Sequence, residues 1–148
     1  MKTKKMLLSA LCAALLVGFF SCDKDNDDDN SPTTYTVADV WVGTYTIDQQ
    51  PAQGALEYNF FIKPNGTLVT QSKGANAATY YAAGTWTLTA DTLRCTYTTI
   101  NFPNAQVTQT SKFAFNSSNG KLTSGTWKDG AGGSNFTGTY TLERANKD

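Results

Sequence analysis

Apolar and polar residues alternate along the chain from residue 35 onward, and the helical period of 3.6 is absent there. In Leu56–Lys63 (LEYNFFIK), for example, a large apolar side chain stands at every second position. A period of two is typical of half-buried β-strands. The pattern predicts eight strands: Val40–Asp48, Leu56–Lys63, Thr67–Lys73, Thr79–Thr89, Thr92–Ile100, Gln106–Asn116, Lys121–Asp129 and Ser134–Arg144.

Turn signals lie between most of these segments. Pro64-Asn65-Gly66 combines a preset proline dihedral with two residues that tolerate positive φ. Ala90-Asp91 and Ser117–Gly120 are equally short connections. A flat meander of eight strands would leave one apolar face exposed to solvent and two edge strands unpaired. Closing the sheet into a barrel removes both problems. A two-sheet Greek-key sandwich would need longer crossovers. We therefore predict an all-β, eight-stranded antiparallel up-and-down β-barrel.

A Gly-Thr-aromatic triplet recurs in four of the predicted strands. The copies are Gly43-Thr44-Tyr45, Gly84-Thr85-Trp86, Gly125-Thr126-Trp127 and Gly138-Thr139-Tyr140. Glycine inside a strand is typical of a bend or bulge in a tightly curved wall. The aromatic residue two positions later is expected on the same face as the glycine. Repeated strand motifs also occur in β-propellers, but residues 35–148 are too few for the four or more blades of that fold.

The N-terminus has the features of a secretory signal. Three lysines precede an apolar run, Met6–Phe20, that is too short to span a bilayer of ~30 Å. The following Phe19-Phe20-Ser21-Cys22 resembles a bacterial lipobox, in which the cysteine thiol receives diacylglycerol. This resemblance implies a signal peptide over residues 1–21 and acylation of Cys22, with two or three chains giving stable membrane attachment. The alternative is an ordinary signal with an incidental cysteine.

Residues 22–34 are predicted to be a disordered tether, because residues 23–34 (DKDNDDDNSPTT) carry five aspartates and no large apolar side chain. Asp23, Asp25 and Asp27 have the spacing of the first three ligands of an EF-hand calcium loop. Asp28 and Thr34, however, stand where glycine and glutamate belong, so no calcium site is expected. An acidic run after the lipid cysteine resembles the export signal of surface lipoproteins of the Bacteroidetes. This resemblance implies an outer-membrane, cell-surface location; the alternative is an anchor facing the periplasm.

Composition removes whole classes of function. The chain has no histidine, its formal net charge is zero, and its cysteines number three. Imidazole catalysis is excluded, no basic face for nucleic acid is expected, and neither a multi-cysteine metal site nor a cofactor motif is present. The carboxylates beyond the tether fall at turns or on the polar face of strands. We therefore expect residues 35–148 to form one non-enzymatic domain, with Cys95 as a small buried hydrophobe.

The order of motifs from residue 38 to 143 resembles the lipocalin-like domains of Bacteroidetes lipoproteins. The shared elements are the G-T-aromatic strand, the N-G-T turn at Asn65-Gly66-Thr67 and the G-T-W-T-L strand. A fainter resemblance to avidin-like barrels rests on the repeated triplets alone. The first resemblance implies a calycin-type barrel, whose closed end is plugged by a Gly-x-Trp motif packed near a late arginine. Here Gly43-Thr44-Tyr45 matches that motif, with tyrosine for tryptophan, and Arg144 is the candidate partner.

Two binding hypotheses follow from the predicted barrel. In the first, the interior holds a small hydrophobic ligand or is simply packed. Its candidate residues are Tyr58, Phe60, Tyr80, Trp86, Tyr97, Phe113, Phe115 and Tyr140. In the second, a glycan or an envelope protein binds to loops and outer aromatics, because the parity of Trp41 and Trp127 places them outside unless a bulge restores them to the core. Asp91-Thr92-Leu93 is similar to the O-glycosylation acceptor of the Bacteroidetes, with Thr92 as its acceptor.

Overall fold

Residues 33–145 are described by a computed structural model, and they form the predicted barrel. The strands are β1 (Val40–Tyr45), β2 (Leu56–Ile62), β3 (Thr67–Lys73), β4 (Thr79–Thr89), β5 (Thr92–Thr99), β6 (Thr108–Asn116), β7 (Lys121–Asp129) and β8 (Thr137–Arg144). A 3₁₀ turn at Pro51–Gln53 lies between β1 and β2. Each strand pairs antiparallel with its neighbour in sequence, and β1 pairs with β8 to close the sheet. The predicted fold class is therefore confirmed.

Most strand ends next to a tight turn agree with the sequence prediction, and β2 differs by one residue because it ends at Ile62. β3, β4 and β7 have the predicted bounds. Asn65 helps to define the turn before β3, since its side-chain oxygen accepts the backbone N–H of Thr67 at 3.1 Å. Strands β1, β5, β6 and β8 are shorter than predicted, each at its end next to one of the longer loops. Without a tight turn, the alternating pattern runs on past the last paired residue.

The two ends of the barrel differ in how they are built. The closed end carries the short turns at 63–66, 90–91 and 117–120, and the loop end carries the loops at 46–55, 74–78, 100–107 and 130–136. Segment 35–39 lies against the closed end. Its Val37 is buried, and the Val37 carbonyl accepts the indole N–H of Trp41 at 2.9 Å. The backbone N–H of Tyr35 donates to Ser117 in the turn after β6.

The glycines of the repeated triplet occupy positions where a neighbour fills the space of a side chain. A Cβ on Gly84 would overlap the carbonyl of Thr96, and one on Gly125 would stand 2.7 Å from the ring of Phe113. The aromatic residue two positions later faces inward in all four strands, since each is buried or packed against the core. The predicted relation between glycine and aromatic residue is confirmed. Among residues 33–145, no helix is long and apolar enough to cross a membrane.

Candidate functional site

Aromatic rings fill the middle of the barrel. The ring of Phe60 lies 5.0–5.8 Å, centroid to centroid, from those of Tyr58, Tyr97, Phe113 and Tyr140. Most of these contacts are edge-to-face, the arrangement that the ring quadrupole favours. All five side chains are at most 7% exposed. Together with Phe115, which is also buried, they are six of the eight residues predicted for the interior.

The other two predicted interior residues lie at opposite ends and are half-buried. Trp86, near the closed end, donates its indole N–H to the carbonyl of Lys63 at 2.9 Å. Tyr80, near the loop end, packs against Phe102 with ring centroids 4.9 Å apart. The eight residues thus share one face of the sheet without surrounding one common space. Their role in holding a ligand stays a prediction.

The hydroxyls of the interior satisfy one another. The Tyr97 hydroxyl lies 2.7 Å from the Tyr140 hydroxyl and 2.6 Å from Ser111 Oγ, and the Tyr58 hydroxyl donates to Thr70 Oγ1 at 3.2 Å. Burial removes these phenols from water, which disfavours the phenolate. The pKa of Tyr58 is consequently raised, and the pKa values of Tyr97 and Tyr140 are raised well above 10.0. The cluster is uncharged at neutral pH.

Cys95 is buried in the same face, beside Ser111 in the neighbouring strand. Desolvation raises the pKa of its thiol to about 12. A nucleophile needs the thiolate, which this environment disfavours strongly. Its prediction as a small buried hydrophobe is confirmed.

The hypothesis that Trp127 lies on the outer wall is wrong, since Trp127 is 5% exposed. A bulge in β7 is the reason. Lys112 pairs with Thr126 and Ala114 with Thr123, so β7 has one residue more than β6 between these pairs. Ser124 takes up the extra residue with a φ of 52°, which is unusual for serine. The bulge reverses the alternation and turns Trp127 inward, where its indole N–H donates to the carbonyl of Thr46 at 3.0 Å.

The same hypothesis for Trp41 is also wrong, since Trp41 is 1% exposed. It pairs with Phe60 on one side and Arg144 on the other, so it lies on the inward face of β1. The Arg144 guanidinium lies 4.8 Å above the Trp41 ring and forms an ion pair with Asp39. The aromatic partners of Arg144 at the closed end are therefore Trp41 and Tyr35, whose ring centroid lies 5.4 Å from the guanidinium carbon. Tyr45, the residue expected from the resemblance, is not one of them; it lies farther along β1 and contacts Tyr58 and Trp127.

The outer wall of β5–β8 carries a concave site that the sequence analysis missed. Two rows of outward side chains cross these four strands: Thr96–Thr110–Lys128–Thr137 and Arg94–Lys112–Thr126–Thr139. With Asp48 at the rim they line a depression of about 630 Å³, here named the outer-wall groove. The residues between them, Cys95, Ser111, Trp127 and Gly138, are buried, which places the rows on the outside.

Positive charge is in excess in the outer-wall groove, whose lining has three cations and one carboxylate, that of Asp48. Arg94, Lys112 and Lys128 are exposed, and none of them belongs to an ion pair within residues 33–145. The rim carboxylate of Asp48 accepts a hydrogen bond from the Thr137 hydroxyl at 2.8 Å. Side-chain hydroxyls and unpaired cations can bind a hydrated, negatively charged partner.

Other predicted features fall elsewhere or outside the described residues. The signal peptide, Cys22 and the acidic residues 23–29 lie outside residues 33–145. Thr92 begins β5 and is half-buried beside Thr89. No group of three histidine, cysteine or carboxylate side chains comes together in the part of the chain that the structure describes. Comparisons with protein-family models, curated proteins and solved structures find no match for this chain.

Proposed function

We propose that this chain is a lipid-anchored, outer-membrane lipoprotein exposed on the cell surface, whose non-enzymatic barrel recognises a glycan or an envelope protein through its outer wall. The observation that carries the recognition role is the contrast between a ring-filled interior and a concave outer face with unpaired cations. The anchoring role rests on the lipobox and on the acidic residues that follow Cys22.

The packed interior is the reason for preferring the outer wall. Ring centroids 4.9–5.8 Å apart leave no gap between the central aromatic side chains, and their hydroxyls are already paired. A small-molecule site usually offers about 300–1,000 Å³ with a few convergent polar groups. The outer-wall groove, at about 630 Å³, falls within that range.

Anchoring is tested by replacing the acceptor cysteine. In the native host, the chain should incorporate radiolabelled palmitate and fractionate with the outer membrane. Cys22→Ser should abolish both, while Cys12→Ser, inside the predicted signal, should leave both unchanged. Protease added to intact cells should remove the barrel if it faces outward. Palmitate labelling that survives Cys22→Ser would contradict the proposal.

A second candidate is a small hydrophobic ligand at the loop end. Tyr45 and Tyr80 are half-buried there, and Phe102 is 36% exposed. Nile red, an uncharged apolar dye, distinguishes the two candidates. Saturable one-to-one fluorescence enhancement that is lost in Tyr80→Arg and retained in Arg94→Gln would favour this candidate. Absence of enhancement at neutral pH is the result expected for recognition on the outer wall.

A further inference from the structure

We propose that the outer-wall groove binds an acidic polysaccharide, with carboxylate or sulfate groups held by Arg94, Lys112 and Lys128 and sugar hydroxyls held by the threonines. The inference rests on the proposed recognition role and adds the chemical class of the ligand. Three features of the groove support it: the placement of its cations, their excess over carboxylates and the nature of its lining.

Strand register brings the three cations together. Arg94 and Lys112 are direct cross-strand partners, and Lys128 is paired with Thr110, two residues from Lys112 on β6. Directly opposed side chains have Cβ atoms about 5 Å apart, and diagonal neighbours about 7–8 Å. One anionic group can therefore contact Arg94 and Lys112 together, and a second can reach Lys128. Like charges directly opposite each other destabilise a sheet. An anion bound between Arg94 and Lys112 would offset this repulsion.

Asp48 is the acidic side chain in the lining of the groove, and it accepts a hydrogen bond from the Thr137 hydroxyl, so one carboxylate stands against three cations. Asp129, next to Lys128 in sequence, accepts hydrogen bonds from Gln109 Nε2 at 2.9 Å and from the backbone N–H of Ser134 at 3.1 Å. Asp39 is paired with Arg144 at the closed end. The field of the groove is thus positive, although residues 35–148 together are close to neutral. Local fields of this kind attract charged partners more than net charge indicates.

The lining selects a hydroxyl-rich ligand. Five threonines line the groove along four strands, about 14 Å across at the usual strand spacing of ~4.8 Å; they are Thr96, Thr110, Thr126, Thr137 and Thr139. The hydroxyls of Thr137 and Thr139 are already hydrogen-bonded to Asp48 and Thr46, so a ligand would share them. Trp127 is the aromatic residue of the lining, and its ring points inward. Single-stranded nucleic acid binds through exposed stacking rings, which this face lacks. Peptides that add a strand need a free sheet edge, and the closed barrel has none. An acidic polysaccharide combines the hydroxyls and the charge.

The test uses the exported chain carrying Cys22→Ser, so that it can be purified without lipid. Calorimetry at low salt measures binding of polygalacturonate and dextran sulfate, with neutral dextran and polyglutamate for comparison. We expect at least one acidic polysaccharide to bind, with an affinity that falls as salt rises. Arg94→Gln combined with Lys112→Gln should weaken binding at least about tenfold, as expected for lost charged contacts. Lys63→Gln combined with Lys121→Gln removes the same charge from exposed positions near the closed end and should change affinity less than about twofold.

Other results overturn the inference in distinguishable ways. Equal losses in the two double variants would show non-specific charge attraction. If neutral dextran or polyglutamate binds instead, and this binding depends on Arg94 and Lys112, the ligand is not an acidic polysaccharide. The outer wall would still be the binding site. Absence of binding to all four polymers, together with saturable Nile red binding, would remove the proposed recognition role as well. Urea unfolding at about 0.5 M salt, where the repulsion between Arg94 and Lys112 is screened, should give each variant the stability of the parent, since the substituted side chains are exposed.

Discussion

The inward and outward faces of β5–β8 have opposite chemistry, although they are made of alternating residues of the same strands. Inward, Ser111, Tyr97 and Tyr140 satisfy one another's hydroxyls among packed rings. Outward, Arg94 and Lys112 face each other without an acidic partner among residues 33–145. The inward face is arranged for stability, whereas the outward pair gains nothing from folding. A feature that opposes stability and persists in an exposed concave site is a reasonable place to look for function.

The largest expected effect is a loss of folding stability at alkaline pH, caused by the buried phenols and thiol of the interior. The pKa values of Tyr58, Tyr97, Tyr140 and Cys95 are raised in the folded chain above 10.0 for the phenols and 9.0 for the thiol. Between the unfolded and folded pKa values the unfolded chain has lost these protons and the folded chain keeps them, so stability falls as pH rises. Each group adds a slope of about 1.4 kcal/mol per pH unit.

Urea unfolding at pH values from 7 to about 11.5 measures this loss. The free energy of unfolding should be flat to about pH 9 and then fall with increasing slope as the thiol and then the phenols ionise in the unfolded chain. Tyr97→Phe removes one titrating group and should reduce the slope above pH 10. A stability that is unchanged at about pH 11.5 would mean that the interior phenols are in contact with water.

Two adjacent phenylalanines on β2 allow the inward and outward faces to be tested within one strand. Phe60 is 0% exposed and Phe61 is 36% exposed, so one side chain belongs to the interior and the other to the outer wall. Phe60→Ala should lower the free energy of unfolding by about 3–5 kcal/mol, through lost burial and the cavity left behind. Phe61→Ala should cost less than about 1 kcal/mol. Similar losses in urea unfolding would contradict the assignment of the two faces.

At the closed end the expected effect is intermediate. Arg144 stacks on Trp41, pairs with Asp39 and donates to the carbonyl of Thr36 at 2.8 Å. Arg144→Ala should cost about 2–3 kcal/mol, since it removes these contacts and leaves a half-buried carboxylate. Arg144→Lys keeps the charge without the planar group and should recover only part of this loss. Full recovery in thermal unfolding would mean that charge alone holds segment 35–39 in place.

In the outer-wall groove the expected effect is the smallest and of opposite sign. Lys112→Thr relieves the repulsion with Arg94 and should raise the free energy of unfolding by about 0.2–1 kcal/mol at low salt. The gain should largely vanish at about 0.5 M salt, where surface charges are screened. Lys121→Thr is the matched control. It makes the same change in strand propensity, but Lys121 is paired with the uncharged Asn116, so no repulsion is relieved. A destabilised Lys112→Thr would show that the lysine serves the fold.

The strands were predictable from the chain because alternation and turn residues are both local signals. Asn65-Gly66 and Ala90-Asp91 define hairpins whose strands need no information from distant residues. Burial of Tyr58 and Phe60 follows from the same alternation. Trp127 marks the limit of this reasoning, because the alternation left two placements open and the structure has the one in which a bulge returns the side chain to the core. The bulge at Ser124 uses a positive φ at a residue that gives no sequence signal for it.

The outer-wall groove could not be predicted in the same way. Arg94, Lys112 and Lys128 are far apart in sequence, and their proximity depends on the register of β5, β6 and β7 combined with the bulge in β7. Each is an ordinary exposed basic residue when its own strand is considered alone. The same holds for the contact between Arg144 and Trp41, which exists because the last strand pairs with the first.

The pairing of β1 with both β2 and β8 determines how the barrel responds to a pull on the residues that precede β1. Tension applied ahead of segment 35–39 meets first the bond from Tyr35 to Ser117 and the stack of Arg144 on Trp41. Beyond these, β1 can be extracted only by breaking the ladders on both of its flanks together. A barrel held by its first strand should therefore resist stretching more than an open sheet of the same length, which could peel from one border.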